Sequence, residues 1–156
     1  MKSLNKANLN QFLEAINTKF RVYVPVEQNG VSRFAPWSQD SQLVLDRNTI
    51  NPPKRLFFPQ TEELYEYQVD KQDASVKSLA VKPEPFVVFG MRPCDVQSLK
   101  LLDDVFLTKG YEDIYYKQKR EQGIVISLGC PEPEETCFCD SWGVNPARAP
   151  LADIMM

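Results

Sequence analysis

Apolar residues recur at helical spacing near the start of the chain, at Leu9, Phe12, Leu13, Ile16 and Phe20. This period predicts an amphipathic helix that packs one face on a core. Asn8 stands directly before the periodic residues and Gln11 follows three residues later, a spacing that is typical of a capping box. We therefore expect Asn8 to cap the first helix.

Two strand-like segments, residues 21–27 and 31–37, follow this helix and flank the dipeptide Asn29-Gly30. Because Asn-Gly favours the positive φ angles of a tight turn, a β-hairpin is predicted here. The pattern over residues 56–69 is mixed, and we interpret Thr61 as the cap of a short helix in that stretch.

The centre of the chain carries the strongest signal, an uninterrupted apolar run at 86–89 and a second one at 124–128. Between them lies a helical pattern with apolar residues on one face, at Val96, Leu99, Leu102 and Phe106. This order predicts two parallel strands joined by a right-handed crossover. The predicted fold class is α/β (or α+β), with an N-terminal helix and β-hairpin leading into a strand-helix-strand parallel core, the sheet flanked by helices.

The composition is that of a globular domain, with 43% apolar and 25% charged residues in a chain of 156. No apolar run approaches the roughly 20 residues that span a bilayer, and the first residues lack the apolar core of a secretory signal. We therefore expect a cytoplasmic protein without membrane insertion. The net charge of −3 supplies no positive field, so we expect no nucleic-acid partner.

The absence of histidine narrows the chemistry, because it excludes Ser-His-Asp and Cys-His catalysis as well as histidine-ligated metal sites. The 6 glycines form no phosphate-binding pattern. The remaining candidates are the four cysteines of the second half of the chain, Cys94, Cys130, Cys137 and Cys139. In a reducing compartment such residues indicate metal ligation or thiol redox chemistry.

The predicted topology brings these cysteines together. Cys94 and Cys130 each come shortly after one of the two parallel strands, and the carboxyl ends of parallel strands meet at one edge of the sheet. Cys137 and Cys139 follow only 7 and 9 residues after Cys130. We expect all four sulfurs to converge, although the spacing matches neither a zinc ribbon nor a ferredoxin motif.

The surroundings of Cys94 favour a thiolate site, because it lies at a helix N-terminus, where backbone amides and the helix dipole stabilise negative charge. We interpret Arg92 as a charge-compensating, cofactor-binding neighbour and Asp95 as the helix cap. Four thiolates suit a [4Fe–4S] cluster, with zinc as the alternative. Four acidic residues in the same loop predict a low-potential site near the surface: Glu132, Glu134, Glu135 and Asp140.

Three functions fit this pattern. The first is an electron-transfer module whose four cysteines bind an iron–sulfur cluster. The second is a docking or scaffold domain whose cysteines bind structural zinc or no metal. The third is a thiol oxidoreductase that uses Cys137 and Cys139.

Several motifs together resemble a known family. The matching segments are Phe57-Phe58-Pro59-Gln60-Thr61-Glu62, Phe89-Gly90-Met91-Arg92-Pro93-Cys94-Asp95, Leu102-Asp103-Asp104-Val105-Phe106, Gly129-Cys130 and Cys137-Phe138-Cys139-Asp140-Ser141-Trp142-Gly143. They are similar to the N-terminal domain of the 4Fe–4S dicluster family, which comprises sulfhydrogenase (hydrogenase and sulfur reductase) beta subunits and the corresponding subunit of anaerobic sulfite reductase. The Arg-Pro-Cys-Asp and Cys-Phe-Cys motifs carry most of this resemblance.

The resemblance implies electron transfer in an anaerobic redox complex. It implies partners among the other subunits of that complex, including a flavin-bearing one, and a redox subunit without catalytic residues of its own. It further implies that residues 1–156 are a single domain, the N-terminal part of a longer iron–sulfur subunit in which a ferredoxin-like segment holds two further clusters. Carried over to this chain, the candidate cluster ligands are Cys94, Cys130, Cys137 and Cys139.

Overall fold

The computed structural model describes residues 4–71, 73–79 and 83–156. Its helices are α1 (Leu9–Asn17), α2 (Pro93–Phe106) and α3 (Ile114–Gln122), and its 3-10 turns are Lys6–Asn8, Pro53–Leu56 and Asp140–Trp142. Its strands are β1 (Arg21–Gln28), β2 (Val31–Pro36), β3 (Tyr65–Val69), β4 (Ala74–Ser78), β5 (Phe86–Met91), β6 (Gly123–Ser127) and β7 (Ile154–Met155). None of the helices within these ranges combines the length and the apolar character that crossing a bilayer requires.

A five-stranded sheet in the order β2-β1-β5-β6-β7 forms the centre of the fold. Strands β1, β5, β6 and β7 run parallel to one another, and β2 pairs antiparallel with β1. The predicted α/β class and the parallel β5-α2-β6 core are therefore confirmed. The crossover contains α3 as well as α2.

Both faces of the sheet are covered, which is why every residue of β5 is buried. On one face α1 packs Leu13 against a cluster that includes Val22, Val87 and Phe89. On the other face the predicted apolar stripe of α2 packs with α3 over a second cluster that includes Phe57, Phe86 and Tyr116. Three of the four cysteines lie in the loop after β6, and Cys94 lies in the first turn of α2.

The predicted hairpin is confirmed, with positive φ at Asn29 (53°) and Gly30 (80°). Asn8 occupies the N-cap position of α1 as predicted, but the predicted capping is wrong, because Asn8 is part of a 3-10 turn and its side chain makes no capping hydrogen bond. Asn5 caps that turn instead, through a hydrogen bond of 3.1 Å from the Ala7 N–H to its Oδ1.

The helix predicted after Thr61 is also wrong, since this stretch leads into the separate two-stranded sheet of β3 and β4. Tyr65, Tyr67 and Val69 alternate with polar residues, a period of two that is typical of a strand. The Tyr115 hydroxyl donates a hydrogen bond of 3.2 Å to the Leu64 carbonyl and ties the base of this hairpin to α3.

The close packing at the start of β6 leads to a testable prediction. A Cβ on Gly123 would collide with the Phe57 ring and lie 2.8 Å from the Phe86 ring. We expect Gly123→Ala to lower the free energy of unfolding by about 1–3 kcal/mol, because the two rings cannot move without disturbing the core. The measurement is urea denaturation, with Gly129→Ala as the control because its Cβ would meet nothing closer than 3.8 Å. Equal stability of the two variants would contradict this prediction.

Candidate metal centre

Cys94 and Cys130 lie at the same edge of the sheet. Strands β5 and β6 are parallel neighbours, and Met91 at the end of β5 pairs with Ser127 at the end of β6. Cys94 follows the first of these ends and Cys130 the second. The ladder continues past β6, where the Leu128 N–H donates to the Met91 carbonyl at 3.0 Å. The crossover topology therefore places the two cysteines as the sequence predicts.

Cys94 lies in the first turn of α2, directly after Pro93, the first residue of that helix. Its side chain is half-buried, and Cys139 is among the neighbours that affect its pKa. Burial raises the pKa of Cys94 to about 11, and the charges of Asp95 and Cys139 act in the same direction. The Asp95 backbone has the opposite, smaller effect. Cys94 is therefore a protonated thiol at neutral pH unless a cation stabilises its thiolate.

The loop after β6 carries the other three cysteines and is held by backbone hydrogen bonds. The Cys130 N–H donates to the Pro146 carbonyl at 2.8 Å, and the Val144 N–H donates to the Cys139 carbonyl at 2.9 Å. The Glu134 N–H donates to the Cys137 sulfur at 3.2 Å. These bonds fold the loop back on itself, so that it returns to the edge of the sheet.

The pKa of Cys130 reflects its charged and thiol neighbours. Burial raises this pKa, the Arg92 guanidinium lowers it, and Cys137 and Cys139 raise it by charge repulsion. Cys139 is also among the groups that raise the pKa of Cys94, so its charge acts on the cysteines of both strand ends. All four cysteines are free thiols. That all four bind one metal site stays a prediction.

The arrangement of the four cysteines is looser than a site for a single ion. In the described part of the chain, no three cysteine or acidic side chains are grouped closely enough to hold one metal ion. A tetrahedral zinc site needs its ligands around one centre, whereas the four cysteines of a cubane each bind a different iron.

Arg92 is buried, with 7% of its surface exposed, and its guanidinium acts as a clamp. It donates to the carbonyls of Gly129 and Leu45 at 2.7 Å each and to that of Arg47 at 3.2 Å. Its charge lowers the pKa of Cys130, as expected for a charge-compensating neighbour. Arg92 has a second role, because its three hydrogen bonds fix the cysteine loop and the segment 45–47 to the start of α2.

Asp95 is not the cap of α2, as the sequence suggested. Arg92 occupies the N-cap position, and Asp95 lies inside the first turn, which has no side-chain cap. Burial raises the pKa of the Asp95 carboxyl to about 6, although the nearby positive charges of Lys54 and Arg92 partly offset this increase. Its carboxylate therefore adds negative charge beside Cys94 rather than satisfying the helix end.

The segment 45–49 is a part of the site that sequence reasoning missed. The Asn48 N–H donates to the Glu134 carboxylate at 2.9 Å, and the Asn48 side-chain amide lies 4.0 Å from the Cys137 sulfur. The segment 45–49 and the turn from β5 to α2 line a cavity of about 100 Å³ that also contacts Cys94. The apolar residues Leu43, Val44 and Leu45 were the available signal, since they pair this segment with β1.

A comparison with known proteins adds an independent observation. The chain is 32% identical over 139 residues to a protein named sulfhydrogenase 2 subunit beta from Pyrococcus furiosus. The chain is thus related to a sulfhydrogenase beta subunit. The match covers 86% of this chain but only 39% of that subunit. No family model matches the chain, and no solved structure matches it.

This relationship supports the resemblance to sulfhydrogenase beta subunits that the motifs indicated. The resemblance to sulfite reductase, the dicluster assignment and the position of this domain within a longer subunit stay predictions.

Proposed function

We propose that the chain is an electron-transfer module of an oxidoreductase complex, in which Cys94, Cys130, Cys137 and Cys139 bind one [4Fe–4S] cluster. The observation that carries this proposal is the placement of Cys94 and Cys130 after neighbouring ends of two parallel strands, with the loop that carries Cys137 and Cys139 folded back to the same edge of the sheet. The relationship to a sulfhydrogenase beta subunit supports the same conclusion.

The donor set suits this cofactor. The chain has no histidine, so its four cysteine thiols are the ligands best suited to iron or zinc. The negative charge of the thiolates that a cluster requires would be compensated by the Arg92 guanidinium and by the N-terminal end of α2, where the Asp95 backbone lowers the pKa of Cys94. When bound, such a cluster supplies reversible one-electron transfer. The protein's own part is to hold the ligands, neutralise their charge and set the potential.

The two rival functions receive less support. Four thiolates also suit a structural zinc ion, but the relationship to a subunit of a sulfhydrogenase favours an iron–sulfur cluster. A thiol oxidoreductase would use Cys137 and Cys139 alone and would give no role to Cys94 and Cys130, which follow neighbouring strand ends. We therefore favour cluster binding over both.

The partners of this module are proposed to be other subunits of a redox complex, among them a flavin-bearing one. The support is the name of the relative, which is itself a subunit of a larger enzyme. The module would receive electrons from one partner and pass them to another without a catalytic residue of its own.

Anaerobic reconstitution tests the proposed function. We expect the chain incubated with ferrous iron and sulfide to become brown and to retain about four irons and four sulfides per molecule. A parallel sample incubated with zinc alone tests the alternative, because four thiolates also suit zinc. One tightly held zinc and no iron would contradict the proposal, and so would a colourless protein after both treatments.

A further inference from the structure

An exposed aromatic pair lies within the cysteine loop. Phe138 separates Cys137 from Cys139, and it is 62% exposed, while Trp142 is 40% exposed. The two ring centres are 5.8 Å apart and the ring planes are inclined by 34°. The backbone N–H of Trp142 donates to the carbonyls of Phe138 and Cys139 at 3.2 Å each, so the backbone between the two aromatic residues is hydrogen-bonded. Two large rings in water beside the candidate site indicate a contact surface.

Carboxylates accompany the aromatic pair in the same loop. Glu132, Glu135 and Asp140 are exposed, and within the described residues they form no ion pair. Glu134 is engaged by the Asn48 N–H. No lysine or arginine occurs in the sequence from residue 121 to residue 147, so no basic residue of this segment offsets the charge. We call Phe138, Trp142, Glu132, Glu135 and Asp140 the aromatic-acidic surface.

This combination has the composition of a protein interface. Aromatic side chains at the centre of an interface provide much of the binding energy, and charges around them steer the partner and select its sign. A surface that is negative around an apolar centre is complementary to one that is positive around an apolar centre.

We propose that the aromatic-acidic surface docks a partner protein that presents lysines and arginines around an apolar contact. The proposal rests on the proposed function for its role, since a partner bound here would lie directly over Cys137 and Cys139. Its physical basis, the charge and the exposed rings, stands without a cluster.

Binding to a basic protein tests this surface. Oxidised cytochrome c serves as the probe because its lysines surround an apolar haem edge. We expect calorimetric titration to show binding that weakens about tenfold or more between about 10 and 100 mM salt, as the screening length falls from about 30 to 10 Å. We also expect backbone NMR signals of the cysteine loop to shift when the probe is added.

Two sets of variants assign the binding to this surface. The triple variant Glu132→Gln, Glu135→Gln, Asp140→Asn is expected to weaken binding about tenfold at low salt, and Phe138→Ser to weaken it about tenfold at either salt concentration. The matched controls are the triple variant Glu63→Gln, Glu66→Gln, Asp104→Asn, which changes the same charge at exposed positions elsewhere, and Tyr67→Ser on β3. Neither control should change the affinity by more than about twofold.

The outcomes separate this proposal from the proposed function, because iron content is measured on the same samples. Binding that depends on the aromatic-acidic surface in a chain that takes up no iron supports the surface and contradicts cluster binding. Full iron content with no binding of cytochrome c, or with binding that the control variants weaken equally, overturns the proposed surface.

Discussion

Replacing Cys94 by serine is expected to remove iron as completely as replacing Cys139, although the two residues are 45 positions apart in the sequence. Each variant should retain less than about a tenth of the iron of the unchanged chain after reconstitution, since loss of one thiolate opens a closed four-thiolate site. The measurement is iron and sulfide per chain together with the visible absorption. Cys130→Ser and Cys137→Ser should show the same loss.

The controls for this experiment separate ligation from folding. Thr136→Ala changes the same exposed loop without removing a sulfur and should keep full iron content. The melting temperatures of the cofactor-free serine variants should lie within a few degrees of that of the unchanged chain, because these side chains are exposed or half-buried. A Cys94→Ser protein with full iron would overturn the ligand assignment. Loss of thiol-disulfide activity in Cys139→Ser alone would instead identify a reactive dithiol.

Arg92→Ala is expected to have the largest effect on stability among changes at the site. The substitution leaves the carbonyls of Gly129, Leu45 and Arg47 without their shared donor inside the protein. Because a hydrogen bond to a charged group contributes about 1.5–3 kcal/mol, we expect the free energy of unfolding to fall by about 3 kcal/mol or more. Iron content should fall too, since the clamp fixes the cysteine loop to α2.

A second substitution shows whether charge or geometry matters at this position. Arg92→Lys keeps the positive charge but cannot reach three carbonyls in different directions, so it should restore only part of the stability. Arg33→Ala, which removes an exposed arginine on β2, is the control and should change the free energy of unfolding by less than about 0.5 kcal/mol. If Arg92→Lys had the stability and the iron content of the unchanged chain, the positive charge of Arg92 alone would account for its role.

The sequence was sufficient to predict those parts of the fold that depend on the conformational preferences of residues close together in the chain. The Asn29-Gly30 turn follows from the φ preferences of those two residues alone. The parallel pairing of β5 and β6 follows from two apolar runs and the handedness of crossovers. Because this pairing fixes the two strand ends, the placement of Cys94 and Cys130 could be predicted as well.

The parts that could not be predicted depend on contacts between distant segments. Arg92 beside a cysteine looks like a counter-charge, but its carbonyl partners lie 37 to 47 positions away in the sequence. The contact of Asn48 with Glu134 spans 86 positions and belongs to a loop with no motif of its own. The cap predicted at Asn8 was wrong because a 3-10 turn precedes α1, which no composition rule for caps anticipates.

Protection of the four cysteines against alkylation tests the central claim most directly, because it reports on each ligand in the unchanged chain. The reconstituted protein is treated with an alkylating reagent under argon, and each cysteine is quantified by mass spectrometry before and after the cluster is removed by a chelator. We predict that Cys94, Cys130, Cys137 and Cys139 are protected together and become reactive together, although only Cys137 is exposed in the absence of the cofactor. A cysteine that stays reactive in the iron-loaded protein, above all Cys94, would contradict a cluster held by all four.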